Sequence, residues 1–259
     1  MHTTSRICVI LGVASVLGWT QAATAQATLT RAEKALIKLF DGSLTLTVST
    51  SKDVIDRSSL PAAAMKASKG EFLETFGPNK GKVFTRTIKN TRTYPKTWPK
   101  SPVGAITETI PGDVVLYEML DVERGLVAPL GLDLHQSVQV AYEPGELMVP
   151  LGPNVKPYEM KLQVYNLTDP KKVTHTGSLK VSASDRGQWT VVVPGGTFEC
   201  VLYAIAYDGK VGPASVADTA LVFIDPHEGI VAKVTRSKVS AFLVYNQDDR
   251  FAYVKVKSQ

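Results

Sequence analysis

Apolar and polar residues recur with two different periods along this chain. In residues 28–40 the apolar positions are three or four apart, which is the spacing of an amphipathic helix. Thr30 is placed to cap its start, and Asp41-Gly42 to end it. The same criteria predict a second short helix over residues 61–76, with Gly77-Pro78 after its end. Residues 44–50 alternate apolar and hydroxyl side chains, which predicts a half-buried strand between the two helices.

From residue 111 onward the pattern changes to short runs of strand type. Strands are predicted at residues 114–120, 137–142, 160–167, 173–183, 189–193, 197–207, 217–224, 230–234, 241–245 and 251–256. Turn residues separate them at 185–187, 194–196, 208–209 and 246–249. Asp208-Gly209 favours a tight hairpin, because both central residues of such a turn adopt positive φ. Short strands at this spacing indicate an antiparallel β-sandwich or a closed curved sheet.

Part of the strand-rich half carries a more specific pattern. A Gly-containing turn at 185–187 precedes a strand with Trp189, Gly196-Thr197-Phe198 opens the next strand, and 208–215 forms an Asp-Gly hairpin. Over residues 177–224 the chain resembles the last strands of bacterial Ig-like and fibronectin type III-like modules. The resemblance implies a β-sandwich that serves as a spacer or binding domain of a secreted protein. It implies no catalytic residues.

A second resemblance keeps an alternative open. Gly195–Phe198, followed by Gly229-Ile230-Val231, looks like the closing strands of periplasmic half-barrels that carry lipids. The predicted fold is therefore mainly β: a small α+β region at 26–110, an Ig-like antiparallel β-sandwich at 111–225 and a β-hairpin extension at 226–259. The alternative is a lipid-binding antiparallel half-barrel. Strands beyond residue 224, which one Ig-like module does not need, favour the alternative.

The first 25 residues have the pattern of a secretory signal peptide. Arg6 gives a short positive start, and residues 7–19 are free of charge and mostly apolar. Ala23-Thr24-Ala25 then offers the small side chains that a signal peptidase accepts, with Ala27 as an alternative cleavage point. The apolar run is too short to cross about 30 Å of hydrocarbon. We therefore expect an exported chain, periplasmic or extracellular, without a transmembrane helix after cleavage.

Charge is concentrated in one segment, although the net charge is only +5. Residues 80–100 hold seven Lys or Arg and no acid, whereas residues 101–160 hold nine acids and two bases. Aromatic residues are interleaved with these cations, which is typical of surfaces that bind polyanions or headgroups. The candidate residues for binding an anionic partner are Lys80, Lys82, Arg86, Lys89, Arg92, Lys96, Trp98 and Lys100. The alternative is a solvated loop, or docking on the acidic stretch that follows.

An exported protein meets surface polymers, lipid headgroups or other proteins rather than nucleic acid, so those are the expected partners. The sequence offers no clear catalytic, cofactor or metal-binding pattern. His135, His175 and His227 are too far apart in the chain for a ligand motif, and no nucleophile or phosphate-loop motif is present. Cys200 alternates with apolar residues along one strand face, which predicts a buried thiol without a reactive role. The predicted function is a non-enzymatic binding or structural protein at the cell envelope or outside the cell. A periplasmic carrier of lipids or a chaperone is the alternative.

Overall fold

The computed structural model describes residues 28–60, 63, 70–90, 105–110, 114–121, 126–134, 138–143, 156–166, 169–241 and 245–257. Between residues 86 and 143 it describes the backbone alone. Within the described ranges, no helix combines the length and the apolar composition needed to cross a membrane.

The first element is a helix whose local sequence specifies both ends. Helix α1 spans Arg31–Ile37 and continues as a 3₁₀ turn over Lys38–Phe40. The Thr30 hydroxyl accepts a hydrogen bond from the Glu33 amide at 3.2 Å, and the Glu33 carboxylate accepts one from the Thr30 amide at 2.7 Å. This reciprocal pair is a capping box. Asp41 ends the helix in the left-handed region at φ 52°. The prediction of a helix in this segment is confirmed.

Thirteen strands form one antiparallel sheet within the described residues. They are β1 Thr45–Val48, β2 Gly70–Phe76, β3 Val83–Asn90, β4 Ala105–Ile110, β5 Val114–Asp121, β6 Leu126–Leu134, β7 Val138–Glu143, β8 Tyr158–Asn166, β9 Asp169–Val193, β10 Gly196–Val211, β11 Ala214–Asp225, β12 Gly229–Ala241 and β13 Tyr245–Lys257. Their order is β1-β9-β10-β11-β12-β13-β2-β3-β4-β5-β6-β7-β8, and β8 also pairs with β9. Strand β9 therefore pairs with both β10 and β8, so the series of paired strands that begins at β9 and β10 ends again at β9.

The predicted fold class is confirmed as mainly β and antiparallel, with a small helix in the N-terminal region. Its strands are joined in a single sheet, whereas the sandwich pattern has two separately hydrogen-bonded sheets. Pairing also crosses the predicted region boundaries. Strand β2 of the first region pairs with β13 of the C-terminal extension, and β4 pairs with β5 on either side of residue 111. The division of the chain into three regions stays a prediction.

Local signals were misleading at three places. The predicted helix over 61–76 is wrong from residue 70 onward, because Gly70–Phe76 is strand β2, paired on both edges with β13 and β3. Asp208-Gly209 is not a turn: both residues lie inside β10, and the reversal comes at Gly212-Pro213. Residues 246–249 likewise lie within β13. In each case cross-strand pairing outweighed a short sequence preference.

A bulge replaces the turn predicted at residues 185–187. Strand β9 runs through this point, but its pairing with β10 shifts between Val201 and Tyr203, where Asp185 to Gln188 oppose them. Gly187 takes a φ of 84°, a conformation that costs glycine little. One extra residue on β9 bends the strand without ending it. The two strands predicted at 173–183 and 189–193 are therefore one.

One end of the sheet curls around helix α1. Leu36 and Phe40 pack in one apolar cluster with buried residues of five strands, β9 to β13. The Gly195 amide, in the β9–β10 turn, donates to the main-chain carbonyl of Lys255 in β13 at 3.0 Å. Because β9 and β13 are four strands apart in the sheet order, this bond requires strong curvature. The helix thus occupies the concave face.

The other face of the same strands is covered by the chain between β1 and β2. Leu60 is fully buried against Val201 and Tyr203 of β10, and Ile55 packs beside it. Polar contacts hold this segment on β9: the Arg57 guanidinium lies 3.1 Å from the Asp185 carboxylate. The two sides of β10 and β11 are therefore both largely apolar near the helix.

Candidate functional site

The predicted anion-binding residues fall partly in the described chain. Lys80 and Lys82 lie in the connection between β2 and β3, and Arg86 and Lys89 lie in β3, where only the backbone is described. The remaining four, Arg92, Lys96, Trp98 and Lys100, lie outside the described residues. A common role of the eight residues in binding stays a prediction.

The connection between β2 and β3, which carries Lys80 and Lys82, is held by the buried carboxylate of Glu74. Glu74 is fully buried in β2, and its Oε1 accepts the Asn79 amide at 2.7 Å. Gly77 leaves room for that carboxylate, since a Cβ there would lie 2.4 Å from Oε1. Lys80 is exposed at the outer end, and its ammonium lies 2.7 Å from Asp41. An exposed pair of this kind contributes at most about 1 kcal/mol to stability.

A second charged surface, which the sequence analysis did not find, lies on the outer ends of β8 to β13. Residues paired directly across neighbouring strands point to the same side of a sheet, and so do alternate residues along each strand. The residues at these outer ends that the register places on one side, and that are here called the polar face, are Glu159, Lys161, Ser178, Lys180, Asp208, Lys210, Ser215, Ala217, Thr219, Arg236, Lys238, Ser240, Asn246, Asp248 and Arg250.

Two adjacent rows of the polar face differ in charge. The lysine row runs across six strands as Lys161, Ser178, Lys210, Ser215, Ser240 and Asn246. The mixed row runs beside it as Glu159, Lys180, Asp208, Ala217, Lys238 and Asp248. Opposite charges face each other in the mixed row, and such cross-strand pairs stabilise a sheet by a few tenths of a kcal/mol. From β8 to β13 the lysine row contains no acid, and at its β8 end Lys161 pairs with Glu143 of β7.

The cations of the polar face also differ in whether they form ion pairs. Arg236 donates two hydrogen bonds to the Asp248 carboxylate, at 2.8 and 2.6 Å, and Arg250 lies 3.6 Å from it. The Arg236 guanidinium holds the pKa of Asp248 well below its usual range. Among the residues whose side chains are described, no carboxylate lies within 4.0 Å of the Lys161 or Lys210 ammonium. Lys210 has a serine opposite it on each neighbouring strand, whereas Lys161 has Ser178 on β9 and Glu143 on β7.

A shallow trough crosses the polar face at β8, β9 and β10. Two adjoining depressions share Glu159, Ser178 and Lys210 as lining residues, so they form one continuous groove. Ser178 is the short side chain at its centre, and Gly177 and Gly209, which alternate with the residues of the polar face, let the backbones of β9 and β10 approach closely. A Cβ on Gly177 would lie 2.2 Å from the Lys210 carbonyl oxygen, and one on Gly209 would lie 2.0 Å from that of Ser178.

Reactive side chains in the described chain have structural surroundings. Cys200 is fully buried, and burial raises the pKa of its thiol well above the usual value. The predicted buried thiol is confirmed. Asp218 points away from the polar face, and burial raises the pKa of its carboxyl group. Among the described residues, no group of three or more His, Cys, Asp or Glu is arranged to hold a metal ion.

Comparison with known proteins identifies no family. No protein-family model matches the chain, and no curated protein matches it. A crystal structure from Bacteroides fragilis, of a protein described as exported and as having a YmcC-like fold, aligns with a TM-score of 0.35 and 12% sequence identity. The alignment covers 74% of this chain and 94% of that one. Similarity at this level does not transfer a function to the chain.

Proposed function

We propose that this chain is an exported, non-enzymatic protein that binds an anionic partner at the cell envelope or outside the cell. The observation that carries the proposal is the polar face, where six Lys or Arg stand against three Asp or Glu, a difference of +3. Its outermost residues are exposed, including Lys161, Lys210 and Lys238. The signal-type leader and the basic segment at 80–100 agree with this reading.

The surroundings of the reactive groups support a binding role over catalysis. Glu33 caps helix α1 and receives a hydrogen bond from Arg186 at 2.8 Å. Lys255 is fully buried and pairs with Glu228. Cys200 is enclosed in the apolar cluster beneath the helix. These ionisable and nucleophilic side chains are used to stabilise the fold.

The carrier alternative requires an apolar cavity within a curved sheet. In the described chain the concave face is curved as that alternative expects, but Leu36 and Phe40 of the protein itself pack into it. Phe40 is 1% exposed and lies in edge-to-face contact with Phe223 at 6.3 Å between ring centroids. We therefore expect native mass spectrometry of the exported protein to give the mass of the chain alone.

The test uses the full chain produced in a bacterial host that exports it. The intact mass first shows whether residues 1–25 are removed. The protein is then titrated with polygalacturonate, with vesicles that contain phosphatidylglycerol, and with dextran as a neutral control. We expect binding to an anionic probe that weakens as salt rises from about 0.05 to 0.5 M, because screening shortens the range of these interactions. Equal binding to dextran, or binding indifferent to salt, would contradict the proposal.

A further inference from the structure

The lysine row presents two cations at a defined separation. Lys161 on β8 and Lys210 on β10 lie on either side of Ser178 on β9. Adjacent strands are about 4.8 Å apart, so the two lysine backbones are separated by roughly 10 Å. Both lysine side chains are exposed, and the short side chain of Ser178 leaves open space between them. The arrangement favours an extended ligand that places one acidic group near each lysine.

Carboxylates beside the row restrict the chemistry of that ligand. Glu159 and Asp208 line the same trough, next to the lysines, and they flank Lys180 in the mixed row. They would repel a ligand with closely spaced charges, such as a nucleic acid or polyphosphate. The same carboxylates accept hydrogen bonds from hydroxyl groups. A chain rich in hydroxyl groups, with spaced acids, matches both features.

Membrane docking requires an apolar face, whereas the apolar residues of the trough are few. Pro157 and the half-buried Tyr158 lie at one end of it. Its apolar Leu162 is 2% exposed and belongs to a buried cluster. Among the described residues, the large exposed apolar side chains lie away from the trough, at Val48, Val54, Phe76, Val83, Val173 and Val192. A lipid surface would therefore find no large exposed apolar side chain to insert here, whereas a polysaccharide could lie along the groove.

We propose that the trough binds a linear acidic polysaccharide, with its carboxylates at Lys161 and Lys210 and its sugar hydroxyls at Ser178, Glu159 and Asp208. This inference rests on the proposed function and gives its partner a chemical class. Lys180 is a weaker contact, because an acid opposes it on each neighbouring strand, whereas Lys161 has one opposing acid, Glu143 of β7, and Lys210 has none. Position in the face, rather than total charge, then determines binding.

Two double variants with the same change of charge separate position from total charge. The first is Lys161→Gln with Lys210→Gln in the lysine row. The second is Lys34→Gln with Lys38→Gln, two exposed lysines of helix α1 and its 3₁₀ turn that lie outside the polar face. Polygalacturonate is the probe, at about 0.05 M salt where screening is weak. We expect the first variant to bind about tenfold more weakly or worse, and the second to bind within about threefold of wild type.

Each outcome bears on a different claim. Equal losses in the two variants would overturn the inference, because total charge alone would explain them. Binding to phosphatidylglycerol vesicles but not to polygalacturonate would overturn it in favour of a membrane. If both variants bind normally while Lys89→Glu with Arg92→Glu abolishes binding, the trough is refuted and the proposed function stands. If no anionic probe binds, both fail. Urea unfolding of each variant confirms that it is folded, and the single change Lys161→Gln is available should a double variant be unstable.

Discussion

Lys255 of β13 is a buried charged residue that pairs with Glu228 at the curved end of the sheet. Its side chain is fully buried, and its ammonium donates to the Glu228 main-chain carbonyl at 2.9 Å and to the Glu228 carboxylate at 2.8 Å. Asp225 fixes Glu228 in turn, by accepting hydrogen bonds from the amides of His227 and Glu228 at 2.7 and 2.8 Å. The Glu228 side chain is 34% exposed, so only one partner of the ion pair is fully removed from water.

This asymmetry predicts different costs for removing each partner. Lys255→Met keeps the buried stem but removes two hydrogen bonds made by a charged donor, and the Glu228 carboxylate regains water. Bonds of that kind contribute about 1.5–3 kcal/mol each, so the two together contribute about 3–6 kcal/mol. Because Lys255→Met also removes the cost of burying an ammonium, which offsets part of that sum, we expect a net loss of about 2 kcal/mol. Glu228→Gln leaves a buried ammonium without a counter-ion. The full cost of such a charge is about 3–5 kcal/mol, and the retained carbonyl contact lowers our expectation to about 2–3 kcal/mol.

The double variant distinguishes this account from a sum of separate effects. Lys255→Met with Glu228→Gln leaves no unpaired buried charge, so it should lose about 2 kcal/mol, the same as Lys255→Met alone. The coupling free energy is then about 2 kcal/mol, within the range for residues in contact. Urea unfolding followed by tryptophan fluorescence gives the four free energies. Repeating the series at about 1 M salt should change the coupling little, because a buried pair is weakly screened.

Two results would refute the reasoning. If Glu228→Gln changes the free energy of unfolding by less than about 0.5 kcal/mol, the Lys255 charge is not confined to the buried position. If the two single losses add in the double variant, the residues do not interact as the geometry requires. The exposed pair of Arg236 and Asp248 is the comparison, since its coupling should weaken with salt.

Three further predictions test the helix, the thiol and the buried acid. Thr30→Ala should lower the free energy of unfolding by about 1 kcal/mol, since it removes the cap of α1, and an unchanged urea midpoint would contradict the capping box. Cys200 should resist iodoacetamide in the native protein and react fully in urea, because it is buried and its pKa is raised; rapid native labelling, read by mass, would show that the thiol is accessible. Asp218→Asn should raise stability at pH 7, because a raised pKa in the folded state makes the charged carboxylate costly. That advantage should disappear as pH falls through the raised pKa to below 3.8, where both folded and unfolded forms are protonated; an advantage independent of pH would contradict burial as its cause.

The parts of the fold that the sequence predicted correctly are those determined by neighbouring residues. Helix α1 was predicted because its apolar spacing, Thr30 at its start and Asp41-Gly42 at its end all lie within one short segment. The strands after residue 158 were predicted because alternation records which side of a sheet is buried. Strand β2 was missed for the opposite reason. Its apolar spacing and flanking residues also suit a helix, and its pairing with β13 joins residues that are far apart in the chain.

The errors at the turns have a related cause. Asp208-Gly209 is a strong local hairpin signal, yet Asp208 and Gly209 pair with Ala217 and Val216 well before the chain reverses. The reversal occurs at Gly212, where φ is 55°, and eleven paired positions between β10 and β11 set the register. Each pair contributes little, but many pairs together outweigh the preference of one dipeptide.

The lysine row could not be predicted from the sequence, because the pairing register determines which residues lie side by side on one face of the sheet. Lys161 and Lys210 are 49 positions apart and become neighbours only because both pair with Ser178. A shift of one residue in the pairing of β9 would turn its polar residues to the other side of the sheet. The cations at 80–100 are close together in the chain and can be recognised from the sequence, whereas the lysine row forms only when the strands pair in the folded sheet. The basic segment at 80–100 and the lysine row therefore predict different effects of substitution on binding. The glutamine double variants test which of the two binds the partner.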